Sequence, residues 1–287
     1  MKSLVIGASG LVGSHVSDTL DSLGPVTGTA FSRNGGSLIG LDIRDAEAVT
    51  RTVASVGPDV VVCAAAEPHV DLCEREPERT REINVDGTRN VVAAARAIDS
   101  TLVFFSSDYV FDGKNGPYDE TDAVGPVNEY GRQKVRAEAI VSGYPKSVIL
   151  RTSGVFGADD RRKNFVYQVI DRLRAGMLVT AAADQTLCPT WAGALADALA
   201  GLLTAGFRGT CNVAGPQAMT RAEFAILVAD AFGLDGSLVR AVPTVELPTV
   251  APRPARSSLT DALLRSTLGR GLPPVQEALA ALRAQGL

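Results

Sequence analysis

Tyr130 and Lys134 stand four residues apart in Tyr-Gly-Arg-Gln-Lys, a spacing that places two side chains on one face of a helix. A phenol, with a reference pKa of about 10, is a poor acid–base group at neutral pH. A neighbouring ammonium favours the phenolate and should bring that pKa toward the working range. Such a pair suits ketone reduction. Tyr130 would give a proton to the carbonyl oxygen as a hydride arrives from a nicotinamide, and Lys134 would tune the phenol and hold the nicotinamide ribose. A third group is offered by FFSSDYVFDG (104–113), where an apolar run ends on Ser106 and Ser107. Tyr-x-x-x-Lys alone is common on solvated helices, and a serine pair ending a strand is most often structural. The surrounding elements decide between these meanings.

Those elements alternate. SLVIG (3–7) reads as a strand, 11–24 as a helix and PVTGTAF (25–31) as a strand. A helix over 45–57 opens on Asp45 and closes on Gly57, residues suited to the two caps. DVVVCAAA (59–66) is apolar throughout, as a strand covered on both faces requires. A helix over 78–98, a strand over 101–107, a helix over 129–143 and a strand over 147–152 follow. This βαβα order specifies an α/β, Rossmann-type, doubly wound parallel sheet with right-handed crossovers. Residues 1–155 are expected to form the dinucleotide-binding domain, with segments near 185–215 returning to it. Residues 156–287 are expected to be mainly a smaller substrate lobe over the sheet's C-terminal edge, where open α/β sheets bind ligands. Its helices are expected over 164–175, 192–206 and 220–233, the last with Thr220 and Glu223 as a capping box. The stretch 240–256, with prolines at 243, 248, 252 and 254, reads as an extended loop.

The first strand runs into Gly7-Ala-Ser9-Gly10-Leu11-Val12-Gly13. Glycines there allow a tight turn, close backbone approach to a pyrophosphate and close helix–strand packing, and the helix N-terminus offers N–H donors to the phosphates. Ala64, Ala65 and Ala66, ending the apolar strand, should face the same cofactor. The end of the second strand reads Phe31-Ser32-Arg33 and lacks the carboxylate that would bind a ribose 2′-hydroxyl. A hydroxyl and a guanidinium suit a 2′-phosphate, so NADPH is favoured over NADH. Asp42 and Ile43 would meet the adenine; the alternative for Asp42 is an acid at a helix start.

With 46% hydrophobic and 21% charged residues, the chain can bury a large core. A net charge of −4 without a Lys/Arg run excludes a general nucleic-acid binder. No export signal and no segment of membrane-spanning length is evident. Four cysteines (Cys63, Cys73, Cys188, Cys211) without C-x-x-C spacing point to a reducing cytoplasm. With His15 and His69 the only histidines, no metal site is expected.

GASGLVG, CAAA (63–66), NVDGT (84–88), SSDYVFDG and YGRQK together resemble the extended short-chain dehydrogenase/reductases. Within them the chain is most similar to the dTDP-4-dehydrorhamnose reductase family, through DYVFDG, RTSGVFG (151–157), Asn164-Phe165, CPTWAGALAD (188–197) and RPARSSL (253–259). The resemblance implies that Ser107, Tyr130 and Lys134 form a hydroxyl–Tyr–Lys triad. It further implies a Rossmann domain with a nucleotide-sugar lobe, reduction of a 4-keto sugar, and Ser107, Asp108, Val110, Tyr130, Asn164 and Arg253 as substrate contacts. Arg253 would meet the diphosphate. A homodimer is kept open. The chain departs from the family at Gly154, where a tryptophan is common, and at Arg256, where asparagine is usual. His15 and Gly193 replace glutamates that bind Mg²⁺ between subunits in some members. Two other functions share these motifs: a nucleotide-sugar epimerase or dehydratase, and a non-catalytic module like the methionine adenosyltransferase β subunit. Dehydratases usually place Asp-Glu after the hydroxyl residue, whereas Asp108-Tyr109 follows here. Asn84 either positions a group near the site or pins its helix.

Overall fold

The computed structural model of the chain describes residues 1–31 and 37–286. In chain order the first half comprises β1 (Ser3–Ile6), α1 (Leu11–Asp21), β2 (Val26–Ala30), β3 (Ile39–Gly40), α2 (Ala46–Val56), β4 (Val60–Cys63), α3 (Val70–Arg75), α4 (Pro77–Arg81), α5 (Thr88–Ala97), β5 (Thr101–Ser107), α6 (Glu129–Ser142) and β6 (Ser147–Thr152). The second half adds β7 (Val155–Phe156), α7 (Phe165–Arg174), β8 (Val179–Ala182), β9 (Thr186–Leu187), β10 (Thr190–Trp191), α8 (Ala192–Thr204), β11 (Gly209–Asn212), β12 (Met219–Thr220), α9 (Arg221–Phe232), β13 (Val239–Val242), α10 (Ala262–Leu268) and α11 (Val275–Ala284).

Seven strands pair in the order β11-β6-β5-β4-β1-β2-β3, every pair parallel. Strand composition explains why this sheet is internal. Side chains alternate between faces, so Val5, Val60, Val62 and Val103 pack on one side with Val16, Leu20, Leu195 and Leu199. Leu4, Ile6, Val61, Leu102 and Phe104 pack on the other with Val49, Val53, Val91 and Val141. Both faces are apolar, as a parallel sheet sandwiched by helices demands. Chain order reverses between β1 and β4, which opens a crevice at their C-terminal ends. A separate core of Phe156, Ile170, Phe224, Val228 and Leu279 holds the C-terminal helices together.

Three segments differ from expectation. The helix expected over 78–98 is divided into α4 and α5 by a π turn at Glu82–Gly87. At its end, a Cβ on Gly87 would lie 2.6 Å from the Ile43 side chain, so a larger residue there would displace Ile43. Residues 240–242, the start of the stretch expected as loop, instead belong to β13, which pairs in parallel with β8. The short helix α3 was not expected, since it spans too few residues to show a period. Among the described residues no helix is long and apolar enough to cross a membrane. All four cysteines are free and buried.

Candidate active site

The crevice is lined first by the glycine loop. Gly7 sits at φ +91°, and a Cβ there would lie 2.7 Å from the Ala65 backbone nitrogen. The ends of β1 and β4 therefore touch only because this residue has no side chain. Gly13 has the same constraint, since a Cβ would fall 2.1 Å from the Gly7 carbonyl oxygen. Gly10 caps α1 without any side-chain hydrogen bond, and the first turn holds no acidic residue. The donors at this helix end are thus left to an anion, and Ser9, Leu11 and Val12 lie half-buried around them. These residues fit a dinucleotide pyrophosphate. Ala64 and Ala65 are half-buried and Ala66 exposed beside the loop. Farther along the edge, Ile43 is buried, and Asp42 is clasped by Arg44 through Nη2–Oδ2 at 2.7 Å. That ion pair holds the Asp42 carboxyl below its usual range. Ser32 and Arg33 lie outside the described residues.

The strand β5 ends on Ser107, in register with Thr152 of β6. Helix α6 brings Tyr130 and Lys134 to that end, and its start is unusually well fixed. Asn128 is fully buried as the N-cap, accepting from Gly131 N at 2.9 Å and donating to Pro252 O at 2.8 Å. Glu129 N donates to Glu74 at 2.8 Å. Gly131 lets the helix lie directly on the Asp108–Val110 turn, because a Cβ there would meet the Tyr109 carbonyl oxygen at 2.1 Å. Gly131→Ala should therefore push α6 away from Ser107. It is expected to cost about 1–3 kcal/mol of stability by overpacking and to lower turnover about tenfold, as read by thermal melts and steady-state rates.

Lys134 is 4% exposed, with Nζ donating to Phe105 O at 2.8 Å and lying 5.8 Å from the Tyr130 ring centre. Burial lowers its pKa from the ordinary 10.5 to about 8. The expectation that this ammonium brings the Tyr130 phenol down is not met. Burial pushes the phenol well above its ordinary value, the hydrogen bond with Ser107 opposes the rise, and the nearby Asp108 charge reinforces it. Tyr130 is accordingly a protonated donor in this state.

The lowered lysine pKa has a stability consequence. Between about pH 8 and pH 10.5 the unfolded chain holds this proton and the folded chain does not. The site's contribution to stability therefore rises with pH across that window, by about 3 kcal/mol. Buried Cys63, Cys73 and Cys188, each pushed up to about 11, titrate in the opposite sense; a difference removes all of this but the charge coupling of Lys134 to Cys63 and Cys73. The stability of the wild type minus that of Lys134→Met should grow between about pH 7 and about pH 10, measured by urea unfolding. A difference that shrinks would mean that Lys134 is not desolvated.

Ser107 donates to Asp108 Oδ1 at 3.0 Å and accepts from Tyr109 N at 3.2 Å. Asp108 also accepts from Ser153 Oγ at 2.8 Å and Ser257 Oγ at 2.6 Å, so one buried carboxylate ties β5 to two later segments. Burial raises its pKa against those three hydrogen bonds. The other expected substrate contacts are placed differently. Val110 is wholly buried with Phe111 and Tyr118, and its carbonyl is taken by Gly125 N, so its side chain packs rather than faces the crevice. Arg253 is 13% exposed and bound to Asp71 at 2.9 Å and to Ala251 O at 2.7 Å. Asn164 donates to Gly157 O at 2.9 Å, while its buried Oδ1 has no hydrogen-bond partner among the described residues. His69 is exposed at the start of α3.

Sequence reasoning did not single out Gln133, the hub that sets α6. It is fully buried, donates to Thr80 at 2.9 Å and Pro77 O at 3.1 Å, and accepts from Asn84 at 2.8 Å. Asn84 in turn accepts from Glu67 N at 2.8 Å, which fixes the turn after β4. No local signal marks Gln133, because its partners lie 49 to 56 residues away in the chain. The departures also acquire a physical setting. Gly154 has φ +53°, a backbone that side chains rarely adopt, and a Cβ there would lie 2.2 Å from the Leu187 side chain, so a larger residue is strained and Leu187 must move. Arg256 binds the Lys114 carbonyl. His15 bonds Ala158 O at 3.1 Å, and no His/Cys/Asp/Glu cluster among the described residues could hold a metal.

A doubly wound parallel sheet with a serine, a tyrosine and a lysine at the edge beside its glycine loop defines a protein of the short-chain dehydrogenase/reductase class. The family model for the RmlD substrate binding domain matches residues 1–286. The chain belongs to that family, the dTDP-4-dehydrorhamnose reductase family. It is 35% identical to the probable low-salt glycan biosynthesis reductase Agl14 of Haloferax volcanii, over 99% of this chain and 98% of that protein. It is 31% identical to the methionine adenosyltransferase 2 subunit beta of Bos taurus, over 93% of this chain and 82% of that one. Among solved structures, the dTDP-4-dehydrorhamnose reductase of Bacillus anthracis in complex with NADP superposes with a TM-score of 0.92 at 27% identity, covering 99% of both chains.

Proposed function

We propose that the chain is an NAD(P)H-dependent reductase of a nucleotide-linked 4-keto-deoxysugar, with Ser107, Tyr130 and Lys134 as its catalytic residues. The observation that carries this is Tyr130, half-buried one helical turn from buried Lys134 and brought with it to the Ser107 end of β5, beside a glycine loop whose helix end is uncapped. Two relatives support it: a probable reductase by name, and a dTDP-4-dehydrorhamnose reductase in complex with NADP. When bound, the reduced nicotinamide supplies the hydride. Tyr130 gives its proton to the ketone oxygen. Ser107, whose own hydrogen is directed to Asp108, keeps a lone pair toward the tyrosine and holds its hydroxyl in place. Lys134, in its ammonium form, stabilises the phenolate left behind.

Residues 1–155, with the segment near 185–215, would hold the dinucleotide, and the later residues would shape the sugar pocket. Asn164 Oδ1 is an acceptor for a sugar hydroxyl, and Arg253 would reach the diphosphate by exchanging Asp71 for it. The absence of a carboxylate in Phe31-Ser32-Arg33 favours NADPH. The likeness to a methionine adenosyltransferase subunit supports one rival, a dinucleotide-binding module without turnover. Purified protein mixed with NADPH and a panel of nucleotide 4-keto sugars separates them. Stoichiometric loss of cofactor absorbance is expected. Tight cofactor binding with no turnover on any ketone would favour the rival, and product without net oxidation would indicate an epimerase.

A further inference from the structure

The loop after β7 crosses the phosphate end of α1. Gly157 packs so closely that a Cβ would lie 3.0 Å from His15 Nε2 and 3.3 Å from the Leu11 side chain. His15, on α1, donates through Nε2 to Ala158 O at 3.1 Å, and Asn164 holds Gly157 O at 2.9 Å. From this fastened loop Arg161 turns back over the glycine motif. Its Nη2 lies 3.7 Å from where a Cβ on Gly10 would stand. Asp159, 6% exposed, holds the stem side of the guanidinium, accepting from Arg161 N at 3.1 Å and from Nε at 3.2 Å. Nη1 and Nη2 make no hydrogen bond among the described residues.

Two positive ends are thus brought together, a guanidinium and a helix N-terminus, and among the described residues the carboxylate bonded to the guanidinium, that of Asp159, sits on its Nε edge. Like partial charges at this distance are unfavourable unless an anion lies between them. A guanidinium offering two parallel donors is shaped for phosphate oxygens. Resting on the proposed cofactor, we infer that Arg161 clamps the dinucleotide pyrophosphate against the glycine loop from above, as a binding residue supplied by the substrate half of the chain.

The pyrophosphate is common to NADH and NADPH, so the test compares both. Titration by nicotinamide fluorescence should show Arg161→Ala raising Kd for each dinucleotide by a similar factor, about tenfold for a half-exposed charge. The variant should also have a shallower dependence of Kd on salt, and Arg161→Lys should fall between the two. Arg161 is 39% exposed but its partner Asp159 only 6%, so thermal melts of both variants are run alongside, and Arg161→Lys, which keeps the charge, should match the wild type. Kd values within twofold of wild type for both dinucleotides would overturn the inference while leaving the cofactor proposal intact. A loss confined to NADPH would also overturn it, by placing the guanidinium on the 2′-phosphate. Failure of the unaltered protein to bind either dinucleotide would overturn the cofactor proposal and this inference together.

Discussion

Tyr130→Phe should reduce turnover by about 10³-fold, within the range spanned by loss of a general acid, and leave NADPH affinity within about threefold. The substitution removes one oxygen and nothing else. The ring keeps its edge-on contact with Tyr109 at 6.0 Å between centres and its place against Lys134, so folding should survive. The lost oxygen is the atom whose proton burial retains: a phenol held above its ordinary pKa is fully protonated at neutral pH and available to a ketone oxygen. Parallel measurement of single-turnover rate and cofactor Kd distinguishes the role. A rate that falls with an unchanged Kd places Tyr130 on the reacting oxygen. A rate within tenfold of wild type would assign the proton to another donor.

The sheet was legible because its strands are apolar on both faces and are punctuated by glycine and cap residues, all local signals. The Tyr130–Lys134 pair was legible for a similar reason, since four residues on a helix fix a shared face. What escaped the sequence depends on contacts between distant segments. Ser153 and Ser257 reach Asp108 from 45 and 149 residues away, and no periodicity announces such a meeting. Gln133 looks like any helix glutamine until Asn84, Thr80 and Pro77 close around it. The direction of the Tyr130 shift escaped for another reason. The sequence shows a lysine four residues away but not how far each group is withdrawn from water, and desolvation outweighs proximity here. Arg253 was legible as a cation in the proline-rich stretch, but its partner Asp71, 182 residues away, was not.

Asp108 is where stability and activity should separate. Its carboxylate accepts from Ser107, Ser153 and Ser257, yet burial leaves its pKa raised. The folded chain therefore keeps this proton to higher pH than the unfolded chain does, so the stability contributed by this group is present at low pH and lost as pH rises through the folded-state pKa. Asparagine has the shape of the protonated acid and no charge to bury, so Asp108→Asn should be at least as stable as wild type near neutrality, and its advantage should vanish toward acid pH. Asp108→Ala is different, because it strands three buried hydroxyls and opens a cavity, at a cost of about 3–5 kcal/mol. Activity should fall in both. Without a carboxylate, the Ser107 hydrogen is no longer directed away from Tyr130, and the tyrosine hydroxyl loses its fixed acceptor. For Asp108→Asn a drop in kcat of about 10- to 100-fold with little change in KM is expected. Urea unfolding at several pH values and steady-state kinetics on the same sample provide the check. A rise in KM alone would instead put Asp108 in contact with the substrate, and a stability loss at neutral pH equal to that of the alanine variant would show that the charge itself holds the three segments together.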